Sequence, residues 1–266
     1  MGLLVELQKR IPDGWFLRRL LPAAFFVVIA AVGGGQLGQR HWDDLGLARE
    51  RIAGALRVSG GTSTRAVASL VLYAVAVVAA AFAVPVVARA IGTLASGAWP
   101  WWLMPLGRRL TAWRERCWTH PEDIGKEAVR ARAAGRTLRA DRLDARRART
   151  ASTRPSSPTW SGDRLRATEA HVKAGTGLDV ASEWPKLLLV VPDTSRTALS
   201  DARDAYDAAC EALAWSTALT LLGTCWWPAA PAGALVGLHS WQSLREAVGR
   251  LCRTTEAVFM TQHGEG

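Results

Sequence analysis

The sequence predicts an all-α fold: an integral membrane protein with about four transmembrane helices in two pairs and an arginine-rich cytoplasmic helical segment between them. Three observations predict it. Apolar residues make up 49% of the 266 and gather into long uncharged runs, while most of the 33 lysines and arginines lie between those runs. Thirteen tryptophans stand against two tyrosines, many of them at the ends of apolar runs, where an amphipathic ring suits the headgroup layer. Finally, an uncharged run, then a tryptophan cluster, then arginines is the order of a span leaving the bilayer on its positive side.

The predicted organisation has three parts. Residues 1–99 hold an N-terminal interfacial helix and a transmembrane pair, about 20–39 and 66–88. Residues 100–193 form the basic cytoplasmic region, and 194–266 form a helical hairpin, about 209–227 and 229–244, with a cytoplasmic tail. Leu3, Leu4, Leu7 and Ile11 share one helical face ahead of Trp15 and Phe16, the pattern of a helix lying on headgroups. Glu6 stands where a myristoylation signal needs Ser or Thr. From Leu20 to Gln39 no residue is charged, and at about 1.5 Å per residue the run covers a hydrocarbon layer of about 30 Å. Pro22 falls in the expected first turn, and Gly33, Gly34, Gly35 and Gly38 weaken the far end. A signal peptide within residues 1–34 remains an alternative, although about 19 residues make a long basic n-region and further spans follow.

Ala66 to Ala88 is uncharged between Arg65 and Arg89, with Pro85 as an expected kink. Trp99-Pro100-Trp101-Trp102 and then Arg108, Arg109, Arg114 and Arg116 follow, which places 100–185 in the cytoplasm. Thr119-His-Pro-Glu122 reads as a capping box. It opens a helix expected over 121–149, with arginines on every face and no core-facing stripe. Ser152 to Pro158 is a break, and a shorter helix capped by Ser161 ends before Gly175. Leu187 to Val191 is too short to span.

A helix from Thr194 leads into the uncharged run Ala212 to Leu244, where Pro228 and Pro231 after Trp226-Trp227 favour a hairpin. A single kinked span, or a hairpin dipping halfway, is the alternative. Four spans put both termini in the cytoplasm, beside Lys9 and Arg10 at one end and Arg245, Arg250 and Arg253 at the other. The weak point is the outer loop Arg40 to Arg65, where five arginines face Asp43, Asp44 and Glu50.

Motifs for chemistry are scarce. Cys117, Cys210, Cys225 and Cys252 form no CxxC pair, and no asparagine is present for N-glycosylation. There is no P-loop and no GxSxG. His41, His120, His171, His239 and His263 show no metal spacing. No catalytic, cofactor or metal residue is therefore assigned. His239 beside Ser240 is the one intramembrane base that an enzyme would use. The GxxxG patterns Gly34/Gly38 and Gly233/Gly237 serve packing within the chain or an oligomer seam.

The net charge of +10 attracts polyanions of either kind, lipid or nucleic acid. Few aromatics interleave the basic segment, which disfavours nucleic acid. The expected partners are membrane lipids, anionic ones above all, with a protein partner or a homo-oligomer as a further prospect. The expected location is the inner (cytoplasmic) membrane. The expected role is that of a non-enzymatic anchor or scaffold, with a small transporter or pore subunit as the alternative and an envelope-associated enzyme as a third.

Asp163-Arg-Leu-Arg-Ala-Thr-Glu169, Gly177-Leu-Asp179, Trp184-Pro185-Lys-Leu187 and Pro192-Asp193 precede the Trp226-Trp227-Pro228 hairpin. In that order they resemble uncharacterised actinobacterial integral membrane proteins with a C-terminal "GLD…WPRL…LPD…helical hairpin" region. Thr176 stands where that pattern has Tyr, and Lys186 where it has Arg. The resemblance covers about residues 154 to 250 and implies a membrane location without bringing an activity.

Overall fold

The computed structural model describes residues 13–37, 39, 46, 64–118, 121–149, 154–184 and 191–263. Among the described residues the regular structure is helical and contains no strand. The chain divides into two units, one of Met1–Ala90 with Ala208–Gln242 and one of Ile91–Asp207 with Ser243–Gly266. The expected interfacial helix 2–11, most of the outer loop 40–65, Thr119 and His120 of the capping box, and 187–190 lie outside the described residues.

In the first unit, α1 spans Asp13–Ile29 and continues as a π-helical stretch, Ala30–Leu37. Because α1 begins at Asp13, Pro22 is internal and not in the first turn. Of the glycines expected to weaken the run, Gly33, Gly34 and Gly35 sit in the widened i→i+5 turns, and Gly38 lies outside the described residues. The helix α2 (Thr64–Ala95) overruns the predicted end at Ala88 by two turns. Within it, Val67–Ala95 is long and apolar enough to cross a membrane, and only 6% of its most apolar window is buried. It is the one described helix that meets both criteria, and the apolar stretch of α1, Arg19–Gly34, is shorter.

The hairpin of α7 (Asp193–Leu222) and α8 (Ala229–His263) turns through 223–228, so Trp226 and Trp227 lie in the turn and not at a helix end. Close approach is made by glycines. A Cβ on Gly233 would sit 2.6 Å from Thr220 Oγ1, and one on Gly237 would sit 2.5 Å from Ser216 Oγ. The Ser216 hydroxyl donates to Gly233 O at 2.9 Å. Gly33 similarly meets the Trp226 ring and Gly34 meets Leu222. These glycines serve packing inside the chain.

The partners of α1 along α7 rise together. Arg19 pairs with Glu211 at 3.9 Å, and the Phe26 and Trp215 ring centroids lie 5.6 Å apart. Gly34 then meets Leu222, and Gln39 Nε2 donates to the carbonyls of Gly223 and Thr224 at 3.2 and 2.7 Å. Hence α1 and α7 run parallel, and Gln39 occupies carbonyls that the end of α7 leaves open.

The second unit contains α3 (Met104–Cys117), α4 (Pro121–Ala133), α5 (Thr137–Arg149) and α6 (Trp160–Thr176) with the adjoining parts of α2, α7 and α8. Val172, Val191, Leu199, Val258 and Phe259 form its apolar core, with Val180 and Trp184 against them. The helix expected over 121–149 is broken. Gly135 takes φ +71° and Arg136 N donates back to Ala131 O at 2.9 Å, a left-handed cap that suits glycine. Folding back buries Ile124, Ala128, Ala131 and Ala140, which are too few for a stripe on one long helix and enough for the seam of two short ones. Ser161 does not cap α6. Thr159 does, its hydroxyl accepting from Gly162 N at 3.1 Å, and Gly177 at φ +72° ends the helix.

Candidate functional site

In the second unit, Asp163 in the first turn of α6 organises a buried polar joint. Its Oδ1 accepts from Ser156 N at 2.8 Å and Ser157 N at 2.6 Å, and its Oδ2 faces Arg114 Nη1 at 2.7 Å. The Asp163 side chain is 4% exposed and that of Arg114 17%, so the two charges offset each other as an ion pair while backbone N–H groups hold Oδ1. Arg114 also donates to Ser157 O. Thr159 carries the joint to the end of α2, its hydroxyl donating to Ala95 O at 2.6 Å. Ser157 is fully buried between Gly97 and Gly162, where a Cβ would approach its Oγ to 2.2 and 2.3 Å. Gly97 also takes φ +82°. Only glycine fits there on both counts.

Beside the joint lies a cavity of about 350 Å³, lined among others by Trp99, Arg108, Thr111, Glu115, Ser156 and Arg166. Arg166 Nη1 donates to Ser156 O at 3.0 Å, and Glu115 meets Arg154 at 3.5 Å. The lining mixes both signs of charge with an indole.

The hairpin α4–α5 presents the basic face. Arg132 pairs with Asp144 and Arg139 with Glu127 at 2.8 Å across the two helices. Arg130, Arg136 and Arg142 are exposed, as are Val129 and Leu138. The ion pairs are exposed and hold the hairpin's register more than its stability, each worth about 0.2–1 kcal/mol.

The chemical candidates separate. His239 is exposed on α8, and neighbouring Ser240 donates its hydroxyl to Val236 O at 2.7 Å, within its own helix. Exposed His171 lies on α6 in the other unit, while His41 and His120 lie outside the described residues. No three His, Cys, Asp or Glu side chains converge as metal ligands among the described residues. Sequence reasoning missed the Asp163–Arg114 pair, because its two charges stand 49 positions apart in sequence. The Ser-Ser-Pro-Thr string ahead of an acidic first turn was the local signal for it.

The four thiols differ sharply. Cys117 and Cys225 are exposed, and Cys210 and Cys252 are buried. Burial raises the pKa of Cys252, against a lowering by the Thr168 hydroxyl. Detergent-solubilised protein is therefore expected to take maleimide at 117 and 225 and to spare 210 and 252, by mass spectrometry. A thiol pKa raised by folding contributes stability that is full below the ordinary thiol pKa and is lost as pH rises through the folded value. Labelling at 252 should thus follow alkaline unfolding. Equal labelling of all four at neutral pH would contradict it.

Comparison with known proteins finds no matching family model, no matching curated protein and no matching solved structure.

Proposed function

We propose that the protein is a four-span anchor of the inner (cytoplasmic) membrane with both termini in the cytoplasm. In this reading it is a non-enzymatic scaffold that holds its arginine-rich helical region against anionic lipid or an acidic partner protein. The observation that carries the reading is α2, whose Leu70, Leu72, Phe82 and Val86 are each exposed by 60% or more. Such a surface is stable in hydrocarbon and costly in water.

The parallel packing of α1 on α7 supports the span count. Two segments that leave the cytoplasm in the same direction need an odd number of crossings between them, and α2 supplies one. Outward apolar side chains on α1 (Leu21, Phe25, Val28) and on the hairpin (Leu221, Leu235, Leu238) suit lipid in the same way. Membership among the actinobacterial membrane proteins that the second half resembles belongs to the same proposal. Gly233 and Gly237, which an oligomeric pore would place at a seam, are occupied by Thr220 and Ser216 of the same chain.

The basic hairpin gives the test. Each arginine near an anionic surface is worth about 1 kcal/mol, so replacing Arg130, Arg136 and Arg142 by Gln removes about 3 kcal/mol, or about a hundredfold in affinity. Full-length protein in zwitterionic liposomes should capture free anionic vesicles, less so as salt rises, and the triple variant should lose most capture. Capture indifferent to salt and to the three substitutions would remove lipid contact through this hairpin.

A further inference from the structure

Helix α3 has two unlike faces. Met104, Arg108, Thr111 and Glu115 recur at i, i+4, i+7 and i+11 and line the cavity. Leu106, Leu110, Trp113 and Cys117 recur at the same spacing about half a turn away, and all four are exposed. Trp101 and Trp102, just before the helix, are also exposed, by 82% and 63%.

Charge is sorted around this row. Exposed Arg109 and Arg116, seven positions apart, border it on one side, while the helix's one acid, Glu115, lies on the cavity side. Within the second unit, α3 is tied to the last turn of α2. Trp99 Nε1 donates to Leu94 O at 3.0 Å near the end of α2. Its ring lies against Gly107 of α3, where a Cβ would sit 3.3 Å from the indole and 3.2 Å from Pro158. The corner Trp99–Leu103 thus ties the first turns of α3 to the last turn of a helix long and apolar enough to span a membrane.

An exposed apolar row, tryptophans at its leading end, cations along its edge and a joint to the last turn of α2 select one environment, the boundary between headgroups and acyl chains. We propose that α3 is an interfacial helix, seated with Leu106, Leu110 and Trp113 in the cytoplasmic leaflet and with Arg109 and Arg116 against anionic headgroups. This rests on the membrane-anchor reading. It adds to the basic hairpin a second contact, through α3, and turns the cavity face toward the aqueous side.

The test is site-directed spin labelling of the full chain, reconstituted in bilayers containing anionic lipid and lacking Cys117 and Cys225. Single labels go at Val78→Cys in α2, Leu110→Cys and Trp113→Cys on the row, and Arg108→Cys on the cavity face. Oxygen, which partitions into lipid, and a water-soluble nickel complex report the environment. Labels at 78, 110 and 113 should relax several-fold more with oxygen than with nickel, with the order reversed at 108. Labels at 110 and 113 open to nickel while 78 is in lipid would overturn the interfacial helix alone. Protection of 110 and 113 from both reagents would show a protein covering the row, and would overturn it too. Nickel access at 78 would remove the anchor reading itself.

Discussion

Replacing Val75 and Val78 together by arginine is expected to abolish stable integration of α2 into the membrane. Both valines are about half exposed, 58% and 48%, so in water the change would stay within about 1 kcal/mol, as surface substitutions do. In hydrocarbon each arginine near the helix centre costs about 2.5–3.5 kcal/mol on insertion scales. Two therefore cost about 5–7 kcal/mol, more than such a helix can lose and still insert. The measurement is the fraction of full-length protein retained in membranes after alkaline carbonate extraction, with Val75→Ala and Val78→Ala as the apolar control. If the arginine pair remained as membrane-bound as that control, α2 would not be a span. A gain in yield as a folded, detergent-free monomer would assign α2 to the aqueous surface.

Asp163→Ala is expected to be the most damaging single change in the second unit. It leaves the Arg114 guanidinium, 17% exposed, without its carboxylate, and it strips Ser156 N and Ser157 N of their acceptor. Removing one partner of a buried pair costs about 3–5 kcal/mol. The same cut in the exposed pair Arg132–Asp144, made as Asp144→Ala, costs at most about 1 kcal/mol. Because two units need not unfold together, the comparison is best read by amide exchange over 154–163. Protection there should collapse in Asp163→Ala and persist in Asp144→Ala. Asp163→Asn, which keeps an acceptor but not the charge, should fall between them. Equal exchange in all three would show that the joint does not depend on the carboxylate.

The clearest parts of the fold were those written in composition. The uncharged run 66–88 announced α2 because nothing else explains so long an apolar segment, and the two prolines near 228 announced the hairpin turn. The helix break at Gly135 was less legible, because arginine and alanine favour helix throughout 121–149 and only the pairing of α4 with α5 uses the short apolar rows. The cap of α6 shifted from Ser161 to Thr159 because the strap 154–159 docks on α2 and carries Thr159 into place, a tertiary cause invisible to local pattern. The motifs Asp163, Gly177, Trp184 and Asp193 all fall at joints of the second unit. Asp163 holds the strap, Gly177 ends α6, Trp184 stacks on Phe259 with centroids 6.4 Å apart, and Asp193 opens α7. Nothing in their spacing named a chemistry, and the geometry gives each a structural task.

The parallel seat of α1 on α7 has a consequence for biosynthesis. Gln39 and Gly223 are 184 positions apart, and a ribosome adding about 5–20 residues per second needs roughly 10–40 s to cover that distance. Throughout that interval Gly33 and Gly34 lack the Trp226 ring and Leu222 that they meet in the folded chain. Helix α1 is thus made well before the part of α7 on which it packs.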